Sequence, residues 1–525
     1  MNRSAGILCP VFSIPANQGI GDLGQKTIRM IDIIADAGYS IWQILPLQMT
    51  GPTHSPYQTY SSFAGDPIYI NLDRLCEMGL LTQSSIVNCN KFKDFIEYDK
   101  IREFKEPYFQ KAFKVFKKEF DSFKEDFEMF KRDAFWLEEW SAYSLFKSFY
   151  NGAPWFEWED EYKNWPKNRD IDLNDYQNEI LYIQFLQFIF YKQLDEIQMY
   201  AHARNLKIMG DMPFYVDLDS ADVWCNREAF LLDEEGKPEF IAGCPPDYFS
   251  ETGQRWGMPI YDFDAQEENG YLFWCNRMSW MNRCYDMVRI DHFRAFDTYW
   301  KIPESCPTAI EGKWILGPAH KLMDAILKAC PDIVLVAEDL GLIRPEVIEL
   351  EDDYGIPGMD VLLFRMETKQ LKKKAKKNSV LYTGTHDNAT CNEDYHTYDS
   401  NKRISLRRFF KNQGYSSRSF NEMLCQYALD TDADTVILPI WDICGFKEEA
   451  RINTPGTVSN KNWTWKLKDF KTFPDKLMST KEWIAIACGA LTLTLAGCRQ
   501  EPAVEPDPYD IVAHLRPGGA GTTNM

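Results

Sequence analysis

Short runs of apolar, often β-branched residues alternate along the chain with segments of helical periodicity. Residues 6–14 (GILCPVFSI) predict a strand, and residues 26–38 predict a helix because Ile28, Ile31 and Ile34 share one helical face. The further strand candidates are 40–47, 206–216, 287–296, 332–341, 359–366, 379–388 and 434–443. Strands that alternate with helices in this way predict an α/β fold, a (β/α)8 TIM barrel.

Residues 76–178 interrupt the alternation of strands and helices. Phe recurs there at helical spacing between Lys and Glu, as in FKVFKKEFDSFKEDFEMF (113–130). This pattern predicts an inserted, mainly helical subdomain whose core is the stripe of Phe side chains. A face that binds a charged partner helix is the alternative. The catalytic barrel is then discontinuous, with residues 1–75 and 179–477 on either side of the insert.

The last segment, residues 478–525, is atypical of a barrel. A lysine-bearing start, a short apolar run and the sequence LAGC (495–498) resemble a bacterial lipoprotein signal, although they follow almost 480 residues of globular character. Two interpretations stay open: a foreign segment fused to the protein, or a terminal helix that packs on the barrel. The N-terminus has no long apolar run, so we expect no signal peptide and no membrane anchor for the catalytic part, and a cytoplasmic location.

The amino-acid composition limits the classes of ligand and partner that the protein is expected to bind. The net charge of −20 argues against a protein that follows nucleic-acid phosphates, and 16 Trp, 26 Tyr and 34 Phe suit either core packing or stacking on sugar rings. The 14 cysteines form no Cys-x-x-Cys pair, and neither they nor the seven histidines have the spacing of metal ligands. We therefore expect buried thiols, no bound metal and no cofactor.

Three acidic residues stand at or near the ends of apolar strand candidates: Asp291, Glu338 and Asp387. The C-terminal ends of barrel strands form the active site of such folds, so these carboxyl groups should meet there. Cleavage of a glycosidic bond with retention needs one carboxylate as nucleophile and one carboxyl group as general acid.

The residues next to these three acids suggest which of them is the nucleophile and which is the general acid. Arg289 shares a strand face with Asp291, and its guanidinium would keep that carboxylate ionised. Glu338 follows apolar residues without an adjacent cation, which suits a general acid and base. Asp387 and His386 could hydrogen-bond sugar hydroxyls and stabilise an oxocarbenium-like transition state.

The strand motifs RIDHFRAF (289–296), VAEDLG (336–341) and YTGTHDN (382–388) resemble those of 4-α-glucanotransferases of the amylomaltase, or disproportionating enzyme, type, which are relatives of the α-amylases. The resemblance continues through SPYQTYSSFAGDPIYINL, GDMPFYVDLDSADVW, PPDYFSETGQRWGMPIYDF and RINTPGTVSNKNWTWKL, and it covers about residues 4–466. It implies retaining transfer of an α-1,4-glucan segment from a donor maltooligosaccharide to the 4-hydroxyl of an acceptor glucose or glucan, through a covalent intermediate.

The resemblance also implies residue roles. Asp291 matches the nucleophile, Glu338 the acid/base and Asp387 the transition-state stabiliser, with Arg289 and His386 as supporting residues. The residues that match substrate-binding positions are Ser55, Tyr57, Asp247, Trp256, Gly257, His292, Asn453, Pro455 and Gly456. The implied partners are α-1,4-glucans and maltooligosaccharides. Residues 245–260 match a flexible loop over the cleft.

Two positions depart from the family pattern: Ala389-Thr390 follows THDN, and Trp441 stands in strand eight where Gln is usual. Both departures are expected near the cleft and concern chain-length preference. An α-1,4-glucan hydrolase on the same barrel is the nearest alternative function. A non-catalytic glucan-binding protein is a further alternative, although the loss of a catalytic carboxylate that usually marks such proteins is absent here.

Overall fold

The computed structural model describes residues 3–86, 92, 94–246, 250–341 and 343–489. Its strands are β1 (Ser4–Leu8), β2 (Ile41–Gln43), β3 (Lys207–Met212), β4 (Phe240–Cys244), β5 (Gln254–Pro259), β6 (Met287–Ile290), β7 (Thr298–Pro303), β8 (Lys313–Leu316), β9 (Leu335–Ala337), β10 (Gly358–Val361), β11 (Ser379–Tyr382) and β12 (Thr435–Pro439). Eight of these strands form a closed parallel barrel in the order β1-β12-β11-β10-β9-β6-β3-β2. This arrangement confirms the predicted (β/α)8 barrel.

Helices surround the barrel and fill the long connections between its strands. They are α1 (Gln25–Asp36), α2 (Leu72–Glu77), α3 (Tyr98–Lys118), α4 (Lys124–Asp133), α5 (Leu137–Phe149), α6 (Asp160–Lys163), α7 (Trp165–Asn168), α8 (Gln177–Ala203), α9 (Ala221–Cys225), α10 (Phe263–Glu268), α11 (Leu272–Cys284), α12 (His320–Ala329), α13 (Pro345–Tyr354), α14 (Thr368–Leu371), α15 (Cys391–Thr397), α16 (Ser400–Asn412), α17 (Phe420–Leu429), α18 (Ile440–Cys444), α19 (Phe473–Met478) and α20 (Lys481–Ala487). Among the helices of the described residues, none combines the length and the apolar composition that crossing a bilayer requires.

The barrel strands are shorter than the apolar runs that predicted them. The candidate 287–296, for example, contains the four-residue strand β6, and the chain turns immediately afterwards because His292 adopts a left-handed conformation with φ of 54°. A parallel strand is covered on both faces, so its apolar run does not mark where the hydrogen-bonded ladder ends. The residues beyond the ladder are the ones that reach the rim of the barrel.

The interrupting segment between β2 and β3 is helical, and its Phe stripe is buried. Phe113, Phe116 and Phe127 are all enclosed, and the Phe116 ring centroid lies 5.4 Å from that of Phe127. The same ring lies 4.9 Å from Phe185 of α8, the barrel helix that leads into β3. The stripe therefore packs the insert against the barrel. The domain boundaries at residues 75/76, 178/179 and 477/478 stay predictions.

A four-stranded antiparallel sheet in the order β5-β4-β7-β8 flanks the barrel, and the sequence pattern did not predict it. Strand β5 takes up residues 254–259 of the segment 245–260, which the family resemblance matches to a flexible loop. Strand β8 has four largely exposed residues, and β5 alternates half-buried and exposed residues before its buried Pro259. Such strands lack the apolar run that revealed the barrel strands.

The end of the chain packs on the barrel as far as the structure describes it. The Tyr39 hydroxyl lies 2.8 Å from the Thr480 hydroxyl, and Ile484 of α20 is buried. These contacts hold the chain up to residue 489 against the barrel, and both interpretations of residues 478–525 stay predictions. The lipoprotein-like motif at 495–498 lies outside the described residues.

Candidate active site

The three predicted carboxyl groups lie at the C-terminal rim of the barrel. Asp291 and Glu338 directly follow β6 and β9, which are neighbouring parallel strands, and Asp387 lies in the turn after β11. The backbone joins the first two: the His292 N–H donates to Glu338 Oε2 at 2.7 Å, and the Phe293 N–H donates to the Glu338 carbonyl at 2.9 Å. The left-handed conformation of His292 thus brings a backbone donor to the Glu338 carboxylate. Such strained conformations are common at functional sites.

Arg289 is buried inside the barrel, with 3% of its surface exposed, and it links two carboxylates. Its Nη1 donates to both carboxylate oxygens of Asp211 at 2.7 and 2.9 Å, and its Nη2 donates to Asp291 Oδ1 at 3.0 Å. The Tyr57 hydroxyl donates to Asp211 Oδ2 at 2.9 Å. Arg289 therefore orients Asp291 from a fixed position, and its charge is shared between Asp291 and Asp211.

Burial and neighbouring charges act differently on the pKa of Asp291 and on that of Glu338. Burial raises the pKa of Asp291 and also that of Glu338 above the usual range of a carboxyl group. The charge of Arg289 opposes the rise for Asp291, whereas the charge of Asp291 adds to the rise for Glu338. The first proton to leave is therefore that of Asp291, and Glu338 retains its proton more strongly. This order is the one that a nucleophile and a general acid need.

A second group of side chains surrounds Asp387. Asn453 donates from Nδ2 to Asp387 Oδ1 at 2.7 Å, and the Nε2 atom of His386 lies 3.5 Å from Asp387 Oδ2. The buried His386 ring stacks on Tyr57 with centroids 5.2 Å apart, and Trp463 packs against the same ring. Tyr57 thus touches both the Arg289–Asp211 pair and the His386–Asp387 pair.

Trp256 and His292 form an edge-to-face contact on the side of the antiparallel sheet. Their ring centroids are 4.9 Å apart at an interplanar angle of 89°. Burial lowers the pKa of His292 to about 3, with a smaller contribution from the Arg294 charge, so the imidazole is neutral. A neutral imidazole beside an indole offers hydrogen bonding and an apolar face without adding charge to the site.

The other predicted binding residues lie on the connecting segments. The Ser55 hydroxyl oxygen accepts the Tyr57 N–H at 3.3 Å, and Gly257 in β5 has a positive φ of 82° that favours glycine. Pro455 and Gly456 are exposed in the loop that follows Asn453. Asp247 lies outside the described residues.

Of the two departures from the family pattern, Trp441 is a packing residue. It is 1% exposed in α18, and its ring makes an edge-to-face contact with Trp465 at 6.1 Å. Ala389 is half-buried in the turn after Asp387. Within the part of the chain that the structure describes, no three His, Cys, Asp or Glu side chains group as metal ligands.

Asp211 is the functional residue that the sequence reasoning missed. It lies in β3, inside the apolar candidate 206–216, and its side chain is buried. A lone acid in a buried strand is costly unless a cation pairs with it, which is the same signal that singled out Arg289 and Asp291. Arg289 Nε also donates to Met359 Sδ at 3.4 Å.

Replacing Asp211 by Asn should leave Arg289 with Asp291 as its main partner. We expect unfolding to become easier by about 3 kcal/mol because a buried pair is broken. The charge of Asp211 raises the pKa of Asp291, so its loss should move the acidic limb of kcat/KM to lower pH. Denaturant unfolding and a pH series measure both effects. Asp36→Asn on the surface is the control, and an unmoved acidic limb would contradict the arrangement.

The chain resembles known proteins both in sequence and in fold. The family described as 4-alpha-glucanotransferase matches residues 9–472. A 4-alpha-glucanotransferase of Thermus thermophilus is 37% identical over 488 residues, which are 90% of this chain and 96% of the relative. One from Synechocystis is 38% identical over 502 residues, covering 92% and 96% respectively. The amylomaltase from Streptococcus agalactiae, solved in complex with acarbose, superposes with a TM-score of 0.86 at 29% identity, covering 92% of this chain and 99% of that one.

Proposed function

This chain belongs to the 4-alpha-glucanotransferase family and is an enzyme of that activity, and we propose that it transfers α-1,4-glucan segments by a retaining, two-step mechanism. The observation that carries the proposal is the pairing of Asp291 and Glu338 at the ends of neighbouring strands, where Arg289 donates to Asp291 and backbone N–H groups donate to Glu338. Arg289 favours the ionised form of Asp291, the nucleophile, and the backbone donors orient Glu338, whose proton is retained because burial and the Asp291 charge raise its pKa.

In the first step, an Asp291 oxygen attacks the anomeric carbon of the donor glucosyl unit. The bond from that carbon to the glycosidic oxygen breaks, and the Glu338 carboxyl group gives its proton to the departing oxygen. Asp387, held by Asn453, faces the positive charge that develops on the sugar ring, and His386 hydrogen-bonds its hydroxyls. Arg289 keeps Asp291 oriented for the attack.

In the second step, the 4-hydroxyl of an acceptor glucan attacks the same carbon and releases Asp291. Glu338, now ionised, accepts the proton of that hydroxyl, so the acid of the first step becomes the base of the second. Transfer wins over hydrolysis when an acceptor sugar is held in place and water is kept out. Tyr57, which stacks on His386, and Trp256, which contacts His292, are the aromatic residues that we propose for holding the acceptor sugar.

The substrates we propose are α-1,4-glucans and maltooligosaccharides, bound also by Ser55, Asp247, Gly257, Pro455 and Gly456. The support is the family membership and the acarbose bound in the Streptococcus agalactiae amylomaltase. We further propose a cytoplasmic location, because the cysteines of the described residues are free thiols. A discontinuous barrel domain with a helical insert at 76–178 is the proposed organisation.

Incubation with maltotriose tests transfer against hydrolysis. We expect glucose together with a ladder of longer maltooligosaccharides, while the number of reducing ends stays constant, because each cleaved bond is remade on an acceptor. Chromatography of the products and a reducing-end assay measure both quantities. A steady rise in reducing ends without a ladder would instead indicate the hydrolase, and unchanged maltotriose would indicate a glucan-binding protein.

A further inference from the structure

Trp463 lies beside the side chains that surround Asp387, and its backbone has an unusual conformation. Its φ of 65° falls in the left-handed region, which bulky residues rarely adopt, and the residue is buried. Its ring centroid lies 5.9 Å from that of His386 and 5.8 Å from that of Tyr57. Such a conformation persists only where the surrounding structure holds it. Whatever holds Trp463 therefore also sets the position of the His386 ring.

Hydrogen bonds on both sides of Trp463 hold its backbone. Its N–H donates at 2.7 Å to the carbonyl of Ile452, the residue before Asn453. The Asn453 side chain in turn donates to Asp387. The Trp463 carbonyl accepts the hydroxyl of Tyr98 at 2.8 Å. Tyr98 is buried and is the first residue of α3, so a hydroxyl group of the helical insert supports Trp463 directly.

The chain just before α3 runs alongside the chain after Trp463. Phe95 and Trp465 form an isolated antiparallel bridge. The Ile96 N–H donates to the Thr464 carbonyl at 2.9 Å. These backbone contacts bring the start of α3 to the carbonyl of Trp463.

The Tyr98 ring has a second contact, which does not involve its hydroxyl group. The ring stacks on His54 with centroids 4.5 Å apart at an interplanar angle of 12°. His54 directly precedes Ser55, and Tyr57 follows in the same segment. Tyr98→Phe removes one hydrogen bond and keeps a ring that can stack in the same way. This change therefore separates the support of Trp463 from the packing of α3.

We propose that Tyr98 is a positioning residue for glucan transfer, which acts on Asp387 through Trp463. The Trp463 ring packs on His386, the residue next to Asp387. The Trp463 N–H holds the backbone next to Asn453, which donates to Asp387. Both contacts lead to one carboxylate, and a small displacement of a group that stabilises a transition state lowers the rate. The proposal rests on the role of Asp387 given under Proposed function.

Tyr98→Phe and Tyr143→Phe are a matched pair that tests the proposal. Tyr143 is a buried residue of α5 in the insert, and its hydroxyl donates to the Asp219 carbonyl at 2.9 Å. Each variant loses a buried hydroxyl group, so we expect similar decreases in Tm. We expect kcat for maltotriose to fall about three- to tenfold in Tyr98→Phe and to stay within about twofold in Tyr143→Phe. Equal changes of kcat in the two variants would overturn the proposal.

A double-mutant cycle with Asp387→Asn tests whether the effect of Tyr98 passes through Asp387. α-Maltosyl fluoride is the donor, because fluoride leaves without general acid and slow variants stay measurable. In the Asp387→Asn background we expect Tyr98→Phe to lower the rate by less than about twofold, since the carboxylate on which it acts is gone. An undiminished loss would show that Tyr98 acts elsewhere and would overturn the proposal. A full rate in Asp387→Asn alone would overturn the role of Asp387 itself, so the two failures are distinguishable.

Discussion

Asp291→Asn should abolish glucan transfer and leave glucan binding intact. The amide keeps the shape of the carboxylate but cannot form the covalent bond to the anomeric carbon, and Arg289 Nη2 keeps a side-chain oxygen to which it can donate. Removing a nucleophile typically costs at least about 10⁴-fold in kcat. Single-turnover assays with maltotriose measure the loss, and calorimetric titration with the same sugar measures the binding that remains.

The matched control is Asp360→Asn on β10. Asp360 also belongs to a barrel strand and also pairs with an arginine, Arg365, but it takes no part in the carboxylate cluster. We expect its transfer activity to stay within about twofold of the unchanged enzyme, as for a substitution away from the site. If Asp291→Asn kept a tenth of the activity, or lost no more than Asp360→Asn, the assignment of the nucleophile would be wrong.

A chemical rescue distinguishes a nucleophile from a residue that only supports the fold. In Asp291→Ala the side chain is short enough to admit azide, which can attack the anomeric carbon of an α-glucosyl fluoride as fluoride leaves. The attack occurs from the face that Asp291 would use, so the product should be the β-glucosyl azide. Nuclear magnetic resonance of the product identifies its configuration.

Much of the barrel could be predicted because its strands are buried on both faces. Such strands appear as apolar runs, and the run that contains β6 was found together with the polar residues at its end. The carboxyl groups could be found because a charge after an apolar strand is rare. The antiparallel sheet escaped detection because exposed strands such as β8 carry no apolar run.

The electrostatics of the site could be predicted only in part. Strand alternation places Arg289 beside Asp291, and their hydrogen bond follows the prediction. Sequence spacing does not reveal that Arg289 also binds Asp211, which comes from a strand 78 positions earlier in the chain. Pairing of β3 with β6 brings these two side chains together. How strongly Arg289 stabilises the ionised form of Asp291 therefore depends on the pairing of β3 with β6.

Glu338→Gln should remove the proton donor and leave the nucleophile in place. We expect kcat for maltotriose to fall by about 10²- to 10⁴-fold, since its leaving oxygen needs a proton. Burial and the Asp291 charge raise the pKa of Glu338, so the unchanged enzyme should lose activity as the pH rises through that pKa. This alkaline limb of the pH profile should be absent in Glu338→Gln. Glu346→Gln, exposed at the start of α13, is the control and should keep both the rate and the limb.

A donor that needs no proton separates the two steps in the Glu338 variants. Fluoride leaves the anomeric carbon without general acid, so α-maltosyl fluoride should still form the covalent intermediate on Asp291 in Glu338→Ala. Azide needs no general base and should release that intermediate as the α-maltosyl azide, with a configuration opposite to that obtained with Asp291→Ala. Mass spectrometry should detect the enzyme carrying one maltosyl unit before azide is added. If the product is the β-azide, or if the enzyme never carries the sugar, then Asp291 is not the nucleophile and Glu338 is not the acid and base in the way proposed.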